Sequence, residues 1–337
     1  MNFNIAIVGA TGNVGREMLS ILSEKKYDAS KIFPVASKKS EGIEIEYGDQ
    51  KLIVESIEKF DSSKVQIALF SAGANTSKEW APKFADKGCI VIDNSSYFRM
   101  DNDIPLIVPE VNSDEIKQYK KRNIIANPNC STIQLVMALK PLHEISKIKK
   151  VIVSTYQSVS GAGKDAMDEL LEQTKDMFSE EIKDNVKFTK PSALNVIPHI
   201  DTFMEDGYTK EELKMRQETN KILDKNINFS ATCVRVPVFI GHSEAVHVEF
   251  SEKVTVEEAR KAIKNASGCT LLDQREDGGY VTPKECAGND DTYVSRIRED
   301  TSTKNSLSMW VVSDNLRKGA ALNTIQIAEK LIEDHLS

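Results

Sequence analysis

The sequence predicts an α/β protein: a doubly wound, mostly parallel sheet, followed by an α+β domain with a mixed or antiparallel sheet. In the first third of the chain, short apolar runs alternate with helical patterns, as βαβ units require. From Val151 the apolar runs lengthen, and EAVHVEF at 244–250 alternates apolar and polar residues like a half-exposed antiparallel strand. We therefore predict a first domain at residues 1–127, completed by a C-terminal helix at 315–337, and a second domain at 128–314.

The first domain is built from short strands separated by helical patterns. Strands are predicted at Asn4–Val8, Lys31–Ala36, Val65–Phe70, Cys89–Ile92, Leu106–Val108 and Asn123–Ala126, and helices at Val14–Leu22, Ser77–Asp86 and Ser113–Lys121. Two strand-like runs within Ile43–Glu55, around Gly48-Asp49, indicate an inserted hairpin. This order is typical of a doubly wound parallel sheet.

The second domain has fewer and longer predicted elements. Strands are predicted at Val151–Val159, Ala231–Val238, Ala245–Phe250 and Leu307–Val312, and helices at Ser131–Leu142, Asp165–Phe178, Lys210–Leu223 and Val256–Asn265. The C-terminal segment has a wide apolar stripe that includes Leu322, Ile325 and Leu331. We expect this last helix to bury its stripe against the sheet of the first domain.

The composition indicates a globular protein whose partners are small molecules. Its 337 residues are 40% hydrophobic, and the net charge of -7 gives no attraction to nucleic acid or to an anionic membrane. No apolar run approaches the roughly 18 residues of a membrane span. Five scattered cysteines without a CxxC pair favour neither a disulfide framework nor a metal site. With no leader pattern at the N-terminus, we expect a cytoplasmic protein.

The segment between the first strand and the first helix reads GATGNVG, with glycines at 9, 12 and 15. Glycines there permit a tight turn, close approach of the backbone to a pyrophosphate and close packing of helix on strand. The helix N-terminus adds N–H donors for the phosphates. The spacing is GxxGxxG rather than GxGxxG, and a glycine turn without a ligand is the alternative. Its position after a strand and before a helix favours a Rossmann-like dinucleotide site.

The end of the second predicted strand bears on the choice of dinucleotide. An NAD site usually offers a carboxylate at this point, whereas this strand runs into Ser37-Lys38-Lys39-Ser40. Cations and hydroxyl groups suit the 2′-phosphate of NADP. We therefore predict NADP as the cofactor, and two solvated loop lysines are the alternative interpretation.

Cys130 lies between the turn Asn127-Pro128-Asn129 and an apolar helical pattern. A thiol at a helix N-terminus is close to unpaired N–H groups and a partial positive charge, which favour the thiolate. The same N–H groups can stabilise the oxyanion of a carbonyl that the sulfur attacks. The alternative is a small buried apolar residue, which we accept for the other four cysteines.

A nucleophilic cysteine needs an acid/base partner, and the chain has five histidines. His335 and His143 lie at helix ends, and His247 points off a sheet face, so these are expected to be structural or exposed. His242 lies in a break between two strands, where side chains can converge on a cleft. We therefore predict His242 as the partner of Cys130.

Five motifs, in order and over nearly the whole chain, resemble those of the aspartate-semialdehyde dehydrogenase family. They are GATGNVG from Gly9, NPNCSTIQ around Cys130, SVSGAGKDAMDEL from Ser158, RVPVFIGHSEAV from Arg235 and NLRKGAALNTIQIAE from Asn315. The resemblance implies NADPH-dependent conversion of L-4-aspartyl phosphate to L-aspartate 4-semialdehyde and phosphate. This reaction belongs to the biosynthesis of lysine and diaminopimelate, methionine, threonine and isoleucine. It also implies a homodimer, formed by a second domain that is both catalytic and dimerising.

The resemblance implies catalytic roles for three residues. Cys130 matches the nucleophile that forms an acyl thioester, His242 the acid/base, and Gln157 a residue that positions the substrate. Arg235 would bind the substrate carboxylate, a bidentate task that suits guanidinium, and Glu211 the substrate ammonium. Taken singly, such charged residues are more often surface groups or salt-bridge partners.

The resemblance also implies a phosphate site and the cofactor contacts. Arg99, Lys214 and Asn129 would bind phosphate. With the glycine turn and the lysine loop, the implied NADP-binding residues are Gly9, Thr11, Gly12, Asn13, Val14, Ser37, Lys39, Ser40, Ser160, Gly161 and Asn315. No metal is expected in either site.

Two other functions stay open at this point. One is a related reductase of another acyl phosphate, N-acetyl-gamma-glutamyl phosphate, since such an enzyme shares the glycine loop and a cysteine on a turn. The residues flanking Cys130, Asn129 before it and Ser-Thr-Ile-Gln after it, favour the first function. The other is a dinucleotide-binding sensor without catalysis, which the presence of Cys130, His242 and Arg235 disfavours.

Overall fold

The computed structural model describes residues 3–177 and 187–336. The chain forms two compact units: Met1–Asn129 with Ala320–Ser337, and Cys130–Gly319. The domain division predicted from the sequence lies a few residues from these limits at each boundary. Phe178, predicted to end a helix, lies outside the described residues.

The first unit is built on a six-stranded sheet whose neighbouring strands are all parallel. The strands are β1 (Ile5–Val8), β2 (Ile32–Ala36), the hairpin strands β3 (Glu44–Tyr47) and β4 (Gln50–Ile53), β5 (Glu55–Ser56), β6 (Ile67–Phe70), β7 (Ile90–Asp93) and β8 (Ile124–Ala126). The sheet order is β5-β2-β1-β6-β7-β8, and β3 and β4 pair only with each other. The predicted doubly wound sheet and inserted hairpin are confirmed.

In its N-terminal part, the first unit has the helices α1 (Asn13–Glu24), α2 (Ala74–Asp86) and α3 (Pro109–Asn112). Two details differ from expectation. Residues 106–108 make only one isolated bridge, Leu106 to Ala126, where a strand was predicted. Prolines 105 and 109 flank this run, and a proline has no backbone N–H to donate to a neighbouring strand. Ser113–Lys121 is a 3-10 helix.

The second unit has a six-stranded mixed sheet. Its helices are α4 (Cys130–Ile145), α5 (Lys164–Asp176), α6 (Lys210–Ile222), α7 (Val256–Asn265) and α8 (Pro283–Cys286), and its strands are β9 (Ile148–Gln157), β10 (Asn228–Arg235), β11 (His242–Phe250), β12 (Cys269–Leu271), β13 (Thr292–Glu299) and β14 (Ser306–Ser313). The order is β10-β9-β11-β14-β13-β12, with β10–β9 and β12–β13 parallel and the other pairs antiparallel. The predicted fold class is confirmed here too, although the sequence analysis missed β12 and β13.

One face of this mixed sheet is covered along its length, whereas the opposite face is covered in part, around Val312 of β14. Val151 and Val153 of β9 and Val246 and Val248 of β11 are buried in a core that includes side chains of α4, α6 and α7. On the opposite face of β9, Ile152 is 40% exposed and Tyr156 is 36% exposed. In β11, Val246 and Val248 are buried and the residue between them is half-buried, as the alternation of EAVHVEF predicted, but Glu244 is fully buried.

The C-terminal helix α9 (Leu322–Leu331) belongs to the first unit. Its apolar stripe, including Leu322, Ile325 and Leu331, is buried in one core with β1 and α1 of that unit. Short π-helical turns, Arg317–Ala321 and Ile332–Leu336, flank it. The prediction that this helix packs on the parallel sheet is confirmed.

Candidate active site

The turn between β1 and α1 has a geometry that requires glycine at two positions. Gly9 has a φ of +91°, and a Cβ there would lie 2.8 Å from the carbonyl carbon of Ser71. A Cβ on Gly15 would lie 2.2 Å from the Gly9 carbonyl oxygen, so α1 packs directly on the turn. The N-cap, Gly12, is exposed, and Thr11, Asn13 and Val14 are half-buried. The start of α1 thus combines N–H donors and a positive dipole end at the carboxyl edge of a parallel sheet, where dinucleotides bind.

The predicted lysine loop follows β2 at the same edge of the sheet. A 3-10 turn, Lys38–Ser40, begins after Ser37, and both lysines are exposed. Among the described residues neither lysine makes a salt bridge to a carboxylate. The loop therefore presents positive charge and hydroxyl groups, as the sequence predicted, and no acidic residue lies between Ala36 and Ser40.

In the second unit, the predicted site residues converge on one edge of the mixed sheet. Gln157 ends β9 and Arg235 ends β10, and the two lie directly opposite each other in the parallel register. His242 begins β11, which runs antiparallel to β9, so it emerges at the same edge. His242 was expected in a break between strands, and the structure makes it the first residue of a strand. Strand polarity is what brings these three distant positions together.

Cys130 is the first residue of α4, as predicted, and it is half-buried. A Cβ on Gly319 would lie 3.0 Å from the Cys130 Cβ, so a larger residue there would crowd the thiol. The contrast with the buried cysteines is clear, because burial raises the pKa of Cys89 and of Cys286 to about 12. Those thiols stay protonated, whereas Cys130 lies at a helix N-terminus beside a cation.

That cation is Arg235, which is only 6% exposed. Its Nη1 donates to the Ser158 carbonyl at 2.6 Å, and its Nε has no hydrogen-bond partner among the described residues. Burial lowers the pKa of Arg235, and the negative charges of Glu211 and then of Cys130 oppose this shift. A guanidinium stays charged even so. Arg235 therefore lies close to both the thiol and a carboxylate, with donor capacity left for an anion.

His242 is fully buried, and its two ring nitrogens differ. Nδ1 lies 3.0 Å from the Ser158 backbone nitrogen, which donates to it, and Nε2 has no partner among the described residues. A Cβ on Gly161 would lie 3.3 Å from Nε2 and 3.5 Å from Nη1 of Arg235. Burial, and next the positive charge of Arg235, hold the pKa of His242 well below its usual value. A hydrogen bond with the Gly241 backbone partly opposes this shift.

Glu211 joins this group from α6. It is 5% exposed, accepts a hydrogen bond from Gln157 Nε2 at 3.1 Å, and pairs with Lys214 Nζ at 3.2 Å. Lys214 also contacts Asp201 at 2.6 Å. The start of α6 is fixed by a reciprocal capping box between Thr209 and Glu212. Glu211 thus offers a buried carboxylate beside Gln157.

The implied cofactor residues of the second unit form one hydrogen-bonded cluster. Asn315 Oδ1 accepts from the Gly241 N–H at 2.9 Å, from Ser158 Oγ at 2.9 Å and from Ser160 Oγ at 3.1 Å. Gly161 follows Ser160 and approaches the His242 ring. This cluster, which includes the predicted Ser160, Gly161 and Asn315, therefore borders that ring.

Two of the predicted phosphate residues, Arg99 and Asn129, belong to the first unit. Arg99 is 7% exposed, and it donates through Nε to the Asn127 carbonyl at 2.9 Å and through Nη2 to the Asn94 carbonyl at 2.7 Å. Asn94 follows β7 and Asn127 follows β8, so the guanidinium lies at the carboxyl edge of the parallel sheet. Asn129, two residues further on, is 7% exposed.

Sequence reasoning missed two residues of the second-unit site, Ser158 and Gly319. Ser158 binds His242 through both its N–H and its Oγ, and Gly319 makes room beside Cys130. Both lie inside motifs that carry the family resemblance, but a motif does not show which of its residues contacts a distant side chain. Among residues 3–177 and 187–336, no cluster of potential metal ligands is present and no helix is long and apolar enough to cross a membrane.

Two family models cover most of the chain. Residues 4–119 match the semialdehyde dehydrogenase NAD binding domain, and residues 139–318 match the semialdehyde dehydrogenase dimerisation domain. The fold and the site therefore define a semialdehyde dehydrogenase.

Individual relatives narrow the family further. Aspartate-semialdehyde dehydrogenase of Aquifex aeolicus is 51% identical, with 100% of each chain covered, and that of Rickettsia conorii is 48% identical, with 99% of each covered. The crystal structure of aspartate semialdehyde dehydrogenase II from Vibrio cholerae superposes with a TM-score of 0.96 at 47% identity, over 99% of this chain and 100% of that one. The same Vibrio protein is also known in complex with ASA. This chain belongs to the aspartate-semialdehyde dehydrogenase family and is an oxidoreductase of amino-acid biosynthesis.

Proposed function

We propose that the protein catalyses the reversible, NADPH-dependent reductive dephosphorylation of L-4-aspartyl phosphate to L-aspartate 4-semialdehyde. The reaction proceeds through a thioester on Cys130. It serves the biosynthesis of lysine and diaminopimelate, methionine, threonine and isoleucine. The relatives' shared name supports the aldehyde product, and the substrate bound to the Vibrio relative is of the same kind.

The observation that supports this proposal best is the proximity of Arg235 to both a thiol and a carboxylate. The pKa of Arg235 responds to both Glu211 and Cys130, so each of these groups lies within electrostatic reach of the guanidinium. An amino-acid substrate has a carboxylate for Arg235 and an ammonium group for Glu211. Binding of both groups would orient its side-chain carbonyl toward the sulfur of Cys130.

The chemical steps use groups of this chain in turn. The Cys130 thiolate attacks the acyl carbon, the C–O bond to phosphate breaks, and a thioester forms. N–H groups at the start of α4 stabilise the oxyanion of each tetrahedral adduct, with His242 as acid/base. When the reduced adduct collapses, the C–S bond breaks, the aldehyde leaves and the thiolate returns. The released phosphate takes up the one proton that the overall reaction consumes.

Phosphate binding requires cations, because the leaving group is dianionic. We assign this role to Arg99 and Lys214, with Asn129 as a neutral donor. Arg99 donates hydrogen bonds to two backbone carbonyls, so its guanidinium is already oriented before phosphate binds. The pairing of Lys214 with Glu211 and Asp201 orients its ammonium group in the same way.

The residues of the first unit fit NADP. The glycine turn, whose space a Cβ would fill, and the start of α1 match a pyrophosphate. The exposed lysine loop matches a 2′-phosphate. When bound, NADPH supplies the hydride that reduces the thioester. Thr11, Gly12, Asn13 and Val14 would hold its pyrophosphate. Ser37, Lys39 and Ser40 would hold the 2′-phosphate, and Ser160, Gly161 and Asn315 the nicotinamide end.

We further propose a cytoplasmic homodimer. The match to a dimerisation domain and the exposed apolar side chains Ile152 and Tyr156 on the open sheet face both support the second unit as the interface. The Tyr156 ring also contacts Trp310, with centroids 5.4 Å apart, which extends that apolar patch. Free cysteines in the described chain fit a reducing compartment. Light scattering of the purified protein would show a mass twice that of the chain.

One assay tests the reaction. The protein is mixed with aspartate semialdehyde, phosphate and NADP, and the absorbance of reduced nicotinamide is followed. We expect turnover that requires phosphate and that is lost when phosphate is replaced by sulfate. Turnover with only the N-acetylated, one-carbon-longer aldehyde would support the related reductase, and cofactor binding without turnover would support a sensor.

A further inference from the structure

Asparagine side chains connect the C-terminal helix α9 to the two loops that surround Arg99. Asn323 of α9 donates through Nδ2 to Asn127 Oδ1 at 2.7 Å, and Asn127 Nδ2 donates to Asn94 Oδ1 at 2.9 Å. We call Asn94, Asn127 and Asn323 the asparagine network. All three residues belong to the first unit, although Asn323 is 196 positions from Asn127 in the chain.

Backbone carbonyls at the two ends of the asparagine network fix the orientation of its amides. Asn323 Nδ2 also donates to the Ile107 carbonyl at 3.0 Å, and Asn94 Nδ2 donates to the Phe70 carbonyl at 3.1 Å. A carbonyl oxygen can only accept, so the atoms that face these carbonyls are the amide nitrogens. Asn127 lies between the two ends, accepting at Oδ1 and donating through Nδ2. The hydrogen bonds therefore run in one direction, from α9 to Asn94.

The guanidinium of Arg99 is bound by the backbone of the two loop asparagines. Its Nε donates to the Asn127 carbonyl at 2.9 Å, and its Nη2 donates to the Asn94 carbonyl at 2.7 Å. The side-chain bond between Asn94 and Asn127 thus holds together the two residues whose carbonyls orient Arg99. Because a guanidinium is planar, two such bonds fix the direction of all its N–H groups.

A second contact joins α9 to the same place. Thr324 Oγ1 lies 2.9 Å from Asn94 Oδ1 and 2.8 Å from the Ala320 carbonyl, and its hydroxyl can donate to either oxygen. Asn323 and Thr324 are fully buried, and Asn127 is buried as well. Removal of one amide from such a network leaves its buried partners without a hydrogen bond. The helix and the two loops are therefore held together by polar contacts that solvent does not readily replace.

We propose that Asn323 is a positioning residue for the phosphate site. It acts through Asn127 and Asn94, whose carbonyls orient the Arg99 guanidinium toward phosphate. Unlike Leu331 of the same helix, which packs in the apolar core, Asn323 costs free energy on burial unless its amide is hydrogen-bonded. The inference rests on the proposed function, because the ligand concerned is the phosphate of that reaction.

Asn112 offers a matched control in the same unit. Its Nδ2 donates to the Leu106 carbonyl at 2.9 Å, and its Oδ1 accepts from the Val108 N–H at 2.9 Å. These two bonds hold the chain on either side of Ile107, whose carbonyl accepts from Asn323. Neither bond involves the asparagine network. Asn112→Leu should therefore disturb the same part of the fold without releasing Arg99.

Calorimetric titration of the NADP-saturated protein with inorganic phosphate tests the role. We expect Asn323→Leu, which is similar in shape but has no N–H donor, to weaken phosphate binding roughly 3–10-fold. Asn112→Leu should change it by less than about twofold. If Asn323→Leu does not fold in thermal unfolding, Asn323→Ser takes its place with the same expectation, because a serine hydroxyl cannot donate to both acceptors. Equal weakening in the two positions, or unchanged binding in the Asn323 variant, would overturn the proposal.

Combination with Arg99→Ala separates this inference from the proposed function. Arg99→Ala alone should weaken phosphate binding at least about 10-fold, since it removes charged donors. In that background Asn323→Leu should add less than about twofold, because its effect passes through the guanidinium. Additive losses would refute positioning through Arg99 and leave the phosphate role of Arg99 intact. Unchanged binding in Arg99→Ala would instead refute the proposed phosphate site, and the inference with it.

Discussion

The two units of the molecule place their functional groups by different means. In the first unit, the cofactor site depends on backbone: Gly9 and Gly15 make room that a side chain would fill, and the start of α1 supplies N–H groups. In the second unit, the candidate site depends on side chains that come from three strand ends and two helices. The first arrangement depends on short local segments, and the second depends on which strands are paired and in what register.

This difference has an energetic counterpart. The lysine loop of the first unit is exposed, so its charges are solvated and each can be altered at little cost to folding. In the second unit, Arg235, Glu211 and His242 are buried, and the hydrogen bonds they make are to other groups of the site. A change to one of them leaves another buried group without its partner. The second unit should therefore respond to substitution as a network, and the first as separate positions.

The largest expected effect comes from Cys130→Ser, which acts on the second unit alone. Loss of the nucleophile should lower kcat by at least about 10⁴-fold, as for other covalent enzymes. NADP affinity, measured by fluorescence titration, should stay within about twofold. Cys269→Ser, at a half-buried cysteine in β12, is the matched control and should keep its activity. Substantial turnover by Cys130→Ser would remove the thioester from the mechanism.

In the first unit, Gly9→Ala tests whether NADP binding depends on the close packing of the backbone around Gly9 or only on its positive φ. Gly9 and Gly88 have similar positive φ values, +91° and +85°, but a Cβ would meet backbone atoms at less than 3 Å only on Gly9. The φ alone costs about 1–2 kcal/mol in both variants. We expect NADP affinity to fall at least about 10-fold in Gly9→Ala and to change little in Gly88→Ala. Similar NADP affinities in the two variants would contradict the proposal that the turn at Gly9 binds the cofactor.

The exposed loop of the first unit is tested by Lys39→Glu. Reversing this charge should lower kcat/KM for NADP by roughly 10-fold, because the carboxylate repels a 2′-phosphate, and should leave that for NAD nearly unchanged. Lys64→Glu makes the same charge change before β6, at the opposite edge of the parallel sheet, and serves as the control. If Lys39→Glu changed kcat/KM for neither NADP nor NAD, the loop lysines would be solvated groups without a role in cofactor binding.

The smallest effect concerns a buried carboxyl in the second unit, Glu244. Its oxygens are fully buried and have no hydrogen-bond partner among the described residues. Burial raises its pKa well above the usual value, and the Gln134 amide only partly opposes this. The folded state thus keeps a proton that the unfolded chain releases above about pH 4.5. Stability should therefore decline as pH rises through and above that value.

Glu244→Gln removes this titration and keeps the shape of the protonated acid. We expect the Tm of the wild type to fall between pH 5 and pH 9 by a few degrees more than that of the variant. Glu258→Gln, at an exposed capping residue of α7, controls for loss of a carboxylate. Parallel pH profiles for wild type and Glu244→Gln would show that Glu244 is ionised in the folded protein.

The fold was largely predictable from patterns that are local in sequence. Strand–helix alternation indicated the parallel sheet, and the apolar stripe of the last helix indicated its place in the first core. Failures occurred where local patterns compete with other constraints. Residues 106–108 look like a strand, but the prolines on either side prevent a ladder, and β13 was missed because its polar residues obscure the alternation.

The candidate site divides in the same way. The glycine turn, the lysine loop and the thiol at a helix start were each visible in one segment, because their chemistry depends on a strand end or a helix end. The residues that contact them from elsewhere were not visible: Ser158 on His242 and Gly319 beside Cys130. Such contacts depend on which strands are neighbours, and periodicity does not encode that.

The sequence by itself determined the fold class, the glycine turn and the position of a cysteine at a helix start, since each follows from local residue patterns. Only the tertiary structure decided that Gln157 and Arg235 are neighbours, that Glu211 reaches them from α6 and that the His242 ring accepts a backbone hydrogen bond. The reason is physical. Strand order and register are set by burial summed over a whole sheet, so a side-chain site assembled across strands exists only once that sheet has formed.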